Sequence, residues 1–238
     1  MRLRVEVAPD AAGAAQAAAR WIGVRLEAAL AERGRASVAF SGGRSPGPML
    51  EALAALPLPW GRIDALQVDE RIAAAGSEAR NLTLLRSALP RARWHAMPVD
   101  ALLAPAVDAA QPIAAAARVA DNYAGTLAAV AGSPAVLDVV HLGLGDDGHT
   151  ASLFAGDAAL EVLDRDVAVT ATQRGHRRLT LTLPALSRAR ARCWLVTGAD
   201  KRAMLAVLRE GAPPVPASRV ARRDSVVFAD AAATSAAP

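Results

Sequence analysis

The 238-residue sequence contains one cysteine, Cys193, and only 3% aromatic residues. A single cysteine cannot form an intrachain disulfide, so a disulfide framework is excluded and a reducing cytosol is favoured. No apolar run reaches the roughly 18 uncharged residues of a membrane span. The first seven residues alternate charged with apolar side chains, a pattern unlike a signal peptide. We therefore expect a cytoplasmic protein with no membrane partner.

Lysine is also nearly absent, because 26 of the 27 basic residues are arginine. Arginine stays protonated above pH 12, which explains a pI near 10.4 at a formal net charge of only +4. The basic residues are spread along the chain and are not interleaved with aromatics, so no nucleic-acid partner is predicted. An anionic small-molecule partner fits this charge equally well.

Apolar material is abundant, at 53% of residues against 21% charged, which is enough for a full core. Short apolar runs alternate with longer Ala-, Leu- and Arg-rich stretches. The predicted strands are residues 3–7, 37–40, 63–68, 136–142, 167–170, 178–183, 193–197 and 225–228. The predicted helices are residues 10–33, 45–55, 79–89, 112–131, 150–153, 184–188, 199–209 and 217–220. This alternation predicts an α/β fold, with one doubly wound, three-layer, Rossmann-like domain over residues 1–238 and a mostly parallel sheet.

Ligands of open α/β sheets bind at the carboxyl ends of the strands, so candidate site residues are expected in the loops that leave those ends. Residues 41–46, Ser-Gly-Gly-Arg-Ser-Pro, come after one strand and precede a helix. Two glycines allow close backbone approach, and the helix start offers free N–H groups to a phosphate. The alternative is an ordinary turn with Ser45 as N-cap and Pro46 as the first helical residue. The segment is not a P-loop, since its Lys-Ser/Thr pair is missing.

A second polar segment, Asp69-Glu70-Arg71, comes directly after the strand at 63–68. Its three charged side chains would lie at the ligand-binding edge of the sheet. The competing interpretation is a solvated loop.

The segment richest in glycine and in candidate catalytic side chains is residues 143–154, Gly-Leu-Gly-Asp-Asp-Gly-His-Thr-Ala-Ser-Leu-Phe. Asp147 and His149 are two residues apart, so the carboxylate could orient the imidazole in a tight loop. Histidine is the side chain best suited to proton transfer near neutral pH. Thr150 and Ser152 could cap the helix that follows. A glycine-rich turn with an incidental histidine is the alternative.

Late in the chain, Lys201 lies just beyond the strand at 193–197 and is the only lysine. In an arginine-rich chain this suggests a position that requires a compact ammonium, although one lysine could also survive by chance. His141 and Cys193 lie within apolar strands, which favours a satisfied core histidine and a structural cysteine. No metal-ligand spacing and no Gly-x-Ser-x-Gly motif is present.

Taken together, these segments resemble the 6-phosphogluconolactonase family. The matches fall in order at residues 41–46, 69–71, Asn81, 143–154, and Arg178 with Thr197-Gly-x-x-Lys201. The resemblance as a whole extends from about residue 9 to residue 230. A related branch, glucosamine-6-phosphate deaminase/isomerase, shares the Gly-x-Gly-x-Asp-Gly-His core. That branch continues with an acidic residue where this chain has none at 150–154, and it has Tyr where this chain has Arg71. Two departures from the lactonase pattern are Ala155 in place of Pro and Arg80 in place of Ser.

The resemblance implies hydrolysis of 6-phospho-D-glucono-1,5-lactone without metal or cofactor. It implies His149 as general base and then general acid, Asp147 as its orienting carboxylate, and backbone amides of the glycine-rich loop as oxyanion donors. The residues it assigns to substrate and phosphate binding are Ser41, Gly42, Gly43, Arg44, Asp69, Arg71, Asn81, Gly145, Arg178 and Lys201. A monomer or weak homodimer is expected.

Three other functions remain open on the sequence alone. A sugar-phosphate deaminase/isomerase would release ammonia from glucosamine 6-phosphate. A sugar-phosphate sensor would keep the phosphate site without catalysis, although it would not need both Asp147 and His149. An α/β domain whose loops match these motifs by chance would neither release ammonia nor bind a sugar phosphate.

Overall fold

The computed structural model describes residues 3–43, 45–103, 112–211 and 214–235, without the side chains of residues 112 and 113. None of the described helices combines the length and the apolarity needed to cross a membrane.

Parallel strands build the main sheet. The described strands are β1 (Arg4–Ala8), β2 (Ala36–Phe40), β3 (Ile63–Gln67), β4 (Asp69–Arg71), β5 (Arg93–His95), β6 (Val139–Leu142), β7 (Val167–Val169), β8 (Arg178–Leu181), β9 (Ala191–Val196) and β10 (Ser225–Asp230). Within the described residues, seven of them form a sheet in the order β1-β10-β9-β6-β2-β3-β5, and every neighbouring pair is parallel.

The strand order places a topological switch point between β2 and β6. From β2 the chain proceeds outward through β3 to β5, and from β6 it proceeds the other way through β9 to β10. At such a point the loops leaving two adjacent strands diverge to opposite faces and open a crevice at the carboxyl edge. The two most motif-like segments of the sequence, 41–46 and 143–154, are the loops that leave these two strands.

Helices cover both faces of the sheet. They are α1 (Ala11–Arg33), α2 (Gly47–Ala54), α3 (Asn81–Ala88), α4 (Pro112–Ala131), α5 (Leu183–Arg188), α6 (Arg202–Glu210) and α7 (Ala231–Thr234). Alternate strand residues join different cores: Val38 and Phe40 pack with α1, α2 and α3, whereas Ala39 packs with α4, α5 and α6. Continuous apolar strands are buried on both faces for this reason. The predicted three-layer, doubly wound α/β fold is therefore confirmed.

The long helix α1 shows how composition determines packing. Its buried residues recur at helical spacing and are mostly alanines, which let the helix lie close to the sheet. Asp10 caps its start by accepting from the Gly13 amide at 2.7 Å, and Gly34 ends it in the left-handed region at φ 73°.

A smaller antiparallel sheet of β4, β8 and β7 lies beside the main one. The sequence pattern places residues 178–183 in the mostly parallel sheet and leaves a solvated loop open for 69–71. The loop interpretation is wrong, because Asp69 and Glu70 are buried in β4. The three-residue strand β5 is not among the predicted strands.

Three local predictions need correction. The helix expected at 150–153 is a turn, since Thr150 bridges Leu153 and Ala151 takes a positive φ of 50°. Ser45 is not a helix cap, because α2 begins at Gly47 with Pro46 in the cap position and no capping side chain. The helix predicted over 217–220 is a single 3-10 turn, Pro216–Arg219.

Candidate active site

A cavity of about 460 Å³ opens at the carboxyl edge of the main sheet, over the switch point. Its wall is formed by the loops after β2, β6 and β9, by strand β4, by the start of α3 and by the turn between β7 and β8. Of the residues predicted for the site, those on the wall are Ser41, Gly42, Gly43, Asp69, Arg71, Asn81, Gly145, His149 and Lys201. Asp147 contacts His149 but is not itself on the wall, and neither is Arg178. Arg44 lies outside the described residues.

His149 is held in one orientation by three neighbours. Its Nδ1 lies 2.5 Å from Asp147 Oδ1, and its ring stacks on Phe154 with centroids 4.4 Å apart. An ionised carboxylate can only accept, so Nδ1 carries the proton and Nε2 is the basic nitrogen. Gly145 lies against the same ring, and a Cβ there would be 2.1 Å from His149 Nδ1. Glycine is therefore required at position 145 because the backbone lies so close to the imidazole, and not because of a positive φ.

The Asp147 carboxylate is kept ionised by its partners. Partial burial alone would raise the pKa of Asp147, but hydrogen bonds from the His149 ring and amide outweigh it and leave that pKa below its ordinary value. Arg174 adds a bond at 3.0 Å to the other oxygen, Oδ2, and one at 2.6 Å to Asp146. The Arg174 guanidinium lowers the pKa of Asp146 in turn.

Donor atoms of Asp146, Asp147 and His149 lie within 4.8 Å of one another, as a cation site would require. Their oxygens and Nδ1 are, however, already bonded to one another and to Arg174. We therefore describe an ion-paired cluster at this place and assign no metal to it.

The segment after β2 forms the opposite wall. Ser41 extends the strand pairing, with its amide and its hydroxyl each donating to the His141 carbonyl at 3.2 Å. Gly42 lies against Asn81, so close that a Cβ would be 2.2 Å from the amide carbon. Because α2 lacks a capping side chain, its first amides are left to solvent or to an anion.

Within the triplet 69–71, the two buried carboxylates have different roles. Glu70 is structural: its carboxylate accepts from the amides of Arg71, Asn81 and Leu82 and so caps the start of α3. Burial raises the pKa of Glu70 against the lowering effect of these bonds and of the Gln67 amide. Asp69 accepts from the Ser152 hydroxyl at 2.6 Å and is linked through Asn81 to Arg71.

The two predicted phosphate cations occupy different environments. Lys201 lies on the cavity wall in the 3-10 turn Ala199–Lys201, with its Nζ 3.4 Å from Asp200. Arg178 is buried, lies 5.2 Å over the Phe154 ring, and donates from NH1 to the Gln173 carbonyl at 2.6 Å. Its desolvated guanidinium has a lowered pKa. The structure thus does not bring Arg178 onto the wall with Lys201.

Two residues predicted as core, His141 and Cys193, are paired in the neighbouring strands β6 and β9, and His141 also lines the cavity. Cys193 is buried in β9, and burial raises the pKa of its thiol. His141 is buried in β6, but among the described residues neither of its ring nitrogens has a hydrogen-bond partner, so the expected satisfied histidine is wrong. Burial lowers the pKa of His141 to about 3, which keeps the ring neutral.

Sequence reasoning missed Arg174 and the structural role of Phe154. Arg174 precedes Gly175 in a tight turn, and glycine there is a turn signal. The side chain's target, however, is set only by tertiary structure. Phe154 ends the 143–154 motif, but its stacking on His149 depends on the non-helical turn at 150–153.

The fold and site together define a class of protein. A doubly wound α/β domain carries a carboxylate–imidazole pair beside a cationic pocket at its switch point, an arrangement suited to proton transfer on an anionic small molecule.

Comparison with known proteins narrows this class. The family described as glucosamine-6-phosphate isomerases/6-phosphogluconolactonase matches residues 9–228. A 6-phosphogluconolactonase of Synechocystis sp. is 39% identical over 184 residues, which cover 75% of this chain and 73% of that protein. One of Pseudomonas aeruginosa is 36% identical over 207 residues, covering 84% and 83%. The solved 6-phosphogluconolactonase from Trypanosoma cruzi superposes with a TM-score of 0.85 at 26% identity, covering 98% of this chain and 96% of that one.

The chain therefore belongs to the glucosamine-6-phosphate isomerase/6-phosphogluconolactonase family.

Proposed function

We propose that this protein is a 6-phosphogluconolactonase that hydrolyses 6-phospho-D-glucono-1,5-lactone to 6-phospho-D-gluconate. The observation that carries the proposal is the 2.5 Å contact between Asp147 and His149 at the edge of a cavity with cationic side chains on its far wall. The similar proteins named 6-phosphogluconolactonase support the choice of substrate. The proposal treats residues 1–238 as one domain that acts as a monomer or weak homodimer.

In the proposed reaction His149 carries out both proton transfers. Nε2 takes a proton from water while the water oxygen bonds to C1 of the lactone, giving a tetrahedral oxyanion. When the oxyanion collapses, the bond between C1 and the ring oxygen breaks and Nε2–H returns its proton to that oxygen. Asp147 keeps the ring in the required tautomer and stabilises the imidazolium, as the carboxylate of a catalytic triad does. No metal is required, because the lactone carbonyl is already activated.

The oxyanion would be stabilised by amides of the glycine-rich loop. The amides of Gly145, Gly148 and His149 are already engaged, donating to the His149 carbonyl, the Gly145 carbonyl and the Asp147 side chain. The proposed donors are therefore the remaining amides of that loop.

The phosphate would be anchored away from the reacting carbon. Lys201, the amides at the start of α2 and the 41–46 segment form the proposed cradle, with Arg71 and Asn81 beside the sugar. Arg178 would support this cradle from behind the wall. Remote anchoring of this kind positions C1 for attack and can lower the barrier by several kcal/mol, on the order of 7–11 in favourable cases.

The family also contains the isomerase branch, and two observations favour the lactonase. Residues 150–154 contain no acidic side chain that could assist ring opening. Their two hydroxyl side chains are committed to structure, Thr150 to the Gly143 carbonyl and Ser152 to Asp69.

The proposal is tested by assaying the purified protein in parallel with the lactone and with the amino sugar phosphate. Fresh 6-phosphogluconolactone is monitored by the proton that its product acid releases in a pH-stat, and glucosamine 6-phosphate is monitored by ammonia release. We expect lactone decay above the spontaneous rate and no ammonia. Ammonia release without lactone acceleration would replace the proposal with the isomerase, and neither reaction would favour a binding protein.

A further inference from the structure

Arg174 lies on the cavity wall and belongs to none of the motifs in the sequence. We propose that it is a positioning residue, whose guanidinium orients the Asp147 carboxylate and offsets the negative charge of Asp146 beside the His149 ring. The inference rests on the proposed function, in which His149 must be unprotonated to accept a proton from water.

The contacts form a chain from the guanidinium to the imidazole. Arg174 NH2 donates to Asp147 Oδ2 at 3.0 Å, and Asp147 Oδ1 faces His149 Nδ1 at 2.5 Å. Each carboxylate oxygen therefore has its own partner, which fixes the rotation of the carboxylate plane. The same NH2 donates to Asp146 Oδ1 at 2.6 Å, so one cation bridges two adjacent carboxylates.

The backbone presents Arg174 rigidly, although its side chain is about half exposed. Gln173 and His176 exchange backbone hydrogen bonds at 2.9 and 3.2 Å, and the two residues between them have positive φ, 49° for Arg174 and 82° for Gly175. This is the pattern of a two-residue turn with both central residues left-handed. A non-glycine residue adopts that region only where its surroundings hold it.

The hairpin is in turn held by hydrogen bonds that Gln173 makes with two neighbouring residues. Arg178 NH1 donates to the Gln173 carbonyl at 2.6 Å, and the Gln173 side chain donates to Asp157 at 3.2 Å. The arginine is thus held over the acidic pair by two buried residues, Arg178 and Asp157.

The charges around His149 determine in which direction the removal of Arg174 would shift protonation of the imidazole. Asp146 and Asp147 lie on its own loop, and Arg174 faces them from the hairpin. Arg178 lies behind Phe154, while Lys201 with Asp200, and Arg71 with Asp69, belong to the rest of the wall. Removal of Arg174 leaves two neighbouring carboxylates uncompensated beside the imidazole, and excess negative charge favours the imidazolium.

The expected shift is moderate because the pair is partly exposed. A unit charge about 7 Å away in a water-like dielectric changes a protonation equilibrium by about half a pH unit. We therefore expect the acid limb of the kcat/KM profile of Arg174→Gln to move about half a unit towards higher pH. Well below the midpoint, activity should fall about threefold, with a smaller change on the alkaline plateau.

Two variants provide the controls. Arg177→Gln removes the same charge from the same hairpin, but its side chain is exposed on another groove, beside α4 and β7. It should leave the profile in place. Asp146→Asn removes the opposite charge and should move the acid limb to lower pH, and the double variant Arg174→Gln/Asp146→Asn should return towards the parent. A purely structural role for Arg174 would not reverse sign in this way.

A second readout does not depend on turnover. The imidazole of His149 is titrated by NMR in the wild type, Arg174→Gln, Arg174→Lys and Arg177→Gln, with His149→Ala used to assign the signal. We expect a midpoint higher by about half a unit in Arg174→Gln, largely restored in Arg174→Lys. An unchanged midpoint, or an equal shift in Arg177→Gln, overturns the inference. If the protein proved inactive on the lactone, the proposed function would fail while this titration still decided the electrostatic role.

Discussion

Gly145 should be intolerant of a single methyl group, because it lies directly against His149 and Asp147. In Gly145→Ala the new Cβ would be 2.1 Å from His149 Nδ1, 2.4 Å from Cε1 and 2.7 Å from Asp147 Oδ1. Ordinary contact begins near 3.4 Å. The imidazole or the loop must therefore move by about 1.3 Å, and misplacement of about 1 Å can cost 100-fold in rate.

We expect kcat for lactone hydrolysis to fall about 100-fold in Gly145→Ala, with little loss of thermal stability, since its backbone φ is not positive. The assay is the pH-stat rate after subtraction of the spontaneous reaction, together with a melting curve to confirm folding. Gly125→Ala is the control, because this glycine lies in α4, outside the cavity wall, and its Cβ would meet no atom within 4 Å.

Two results would refute this reasoning. Gly145→Ala could retain kcat within a few-fold of wild type, which would mean that the dyad geometry is not required. Alternatively, Gly125→Ala could lose as much activity, which would mean that the loss does not depend on contact with His149.

Three further predictions address binding and stability. Lys201→Met should raise KM roughly 10- to 100-fold with a smaller change in kcat, because a charged hydrogen bond of about 1.5–3 kcal/mol is lost; steady-state kinetics would contradict this if kcat fell instead. Gly42→Ala should raise KM about 10-fold or more by displacing Asn81, whereas Gly61→Ala, in the 3-10 turn Trp60–Arg62 outside the cavity wall and with open space around it, should not. For Asp64, burial alone would raise its pKa, but bonds from Arg93 and His95 leave it lowered. Its stabilisation is present above the ordinary carboxyl pKa and is lost as pH falls through the lower, folded value. Asp64→Asn should therefore lower Tm at pH 7 and flatten the fall of Tm below about pH 4, as calorimetry would show.

The sequence was sufficient for the architecture because the relevant patterns are local. Apolar runs such as that around Val139 and Val140 identify strands buried on both faces, and the alanine-rich stretch of α1 identifies a close-packed helix. Once the strands were parallel, their carboxyl ends had to converge, which brought segments 41–46 and 143–154 together. The pairing of Asp147 with His149 could be predicted because the two residues are only two positions apart in the sequence.

The features that sequence reasoning missed depend on long-range contacts. Glu70 is acceptable in a buried strand only because the start of α3 supplies its hydrogen-bond donors. Ser152 leaves the helical pattern because its hydroxyl bonds to Asp69. Arg174 contacts Asp147 from the turn of a hairpin, and no local periodicity in the sequence predicts that contact.

The central claim, that His149 transfers the proton, is tested most directly by the decay of freshly generated 6-phosphogluconolactone with wild type, with His149→Ala and without protein. We expect acceleration by wild type alone, with kcat of the variant reduced about 100- to 10,000-fold and KM changed by only a few-fold. Near-full kcat in His149→Ala would contradict it.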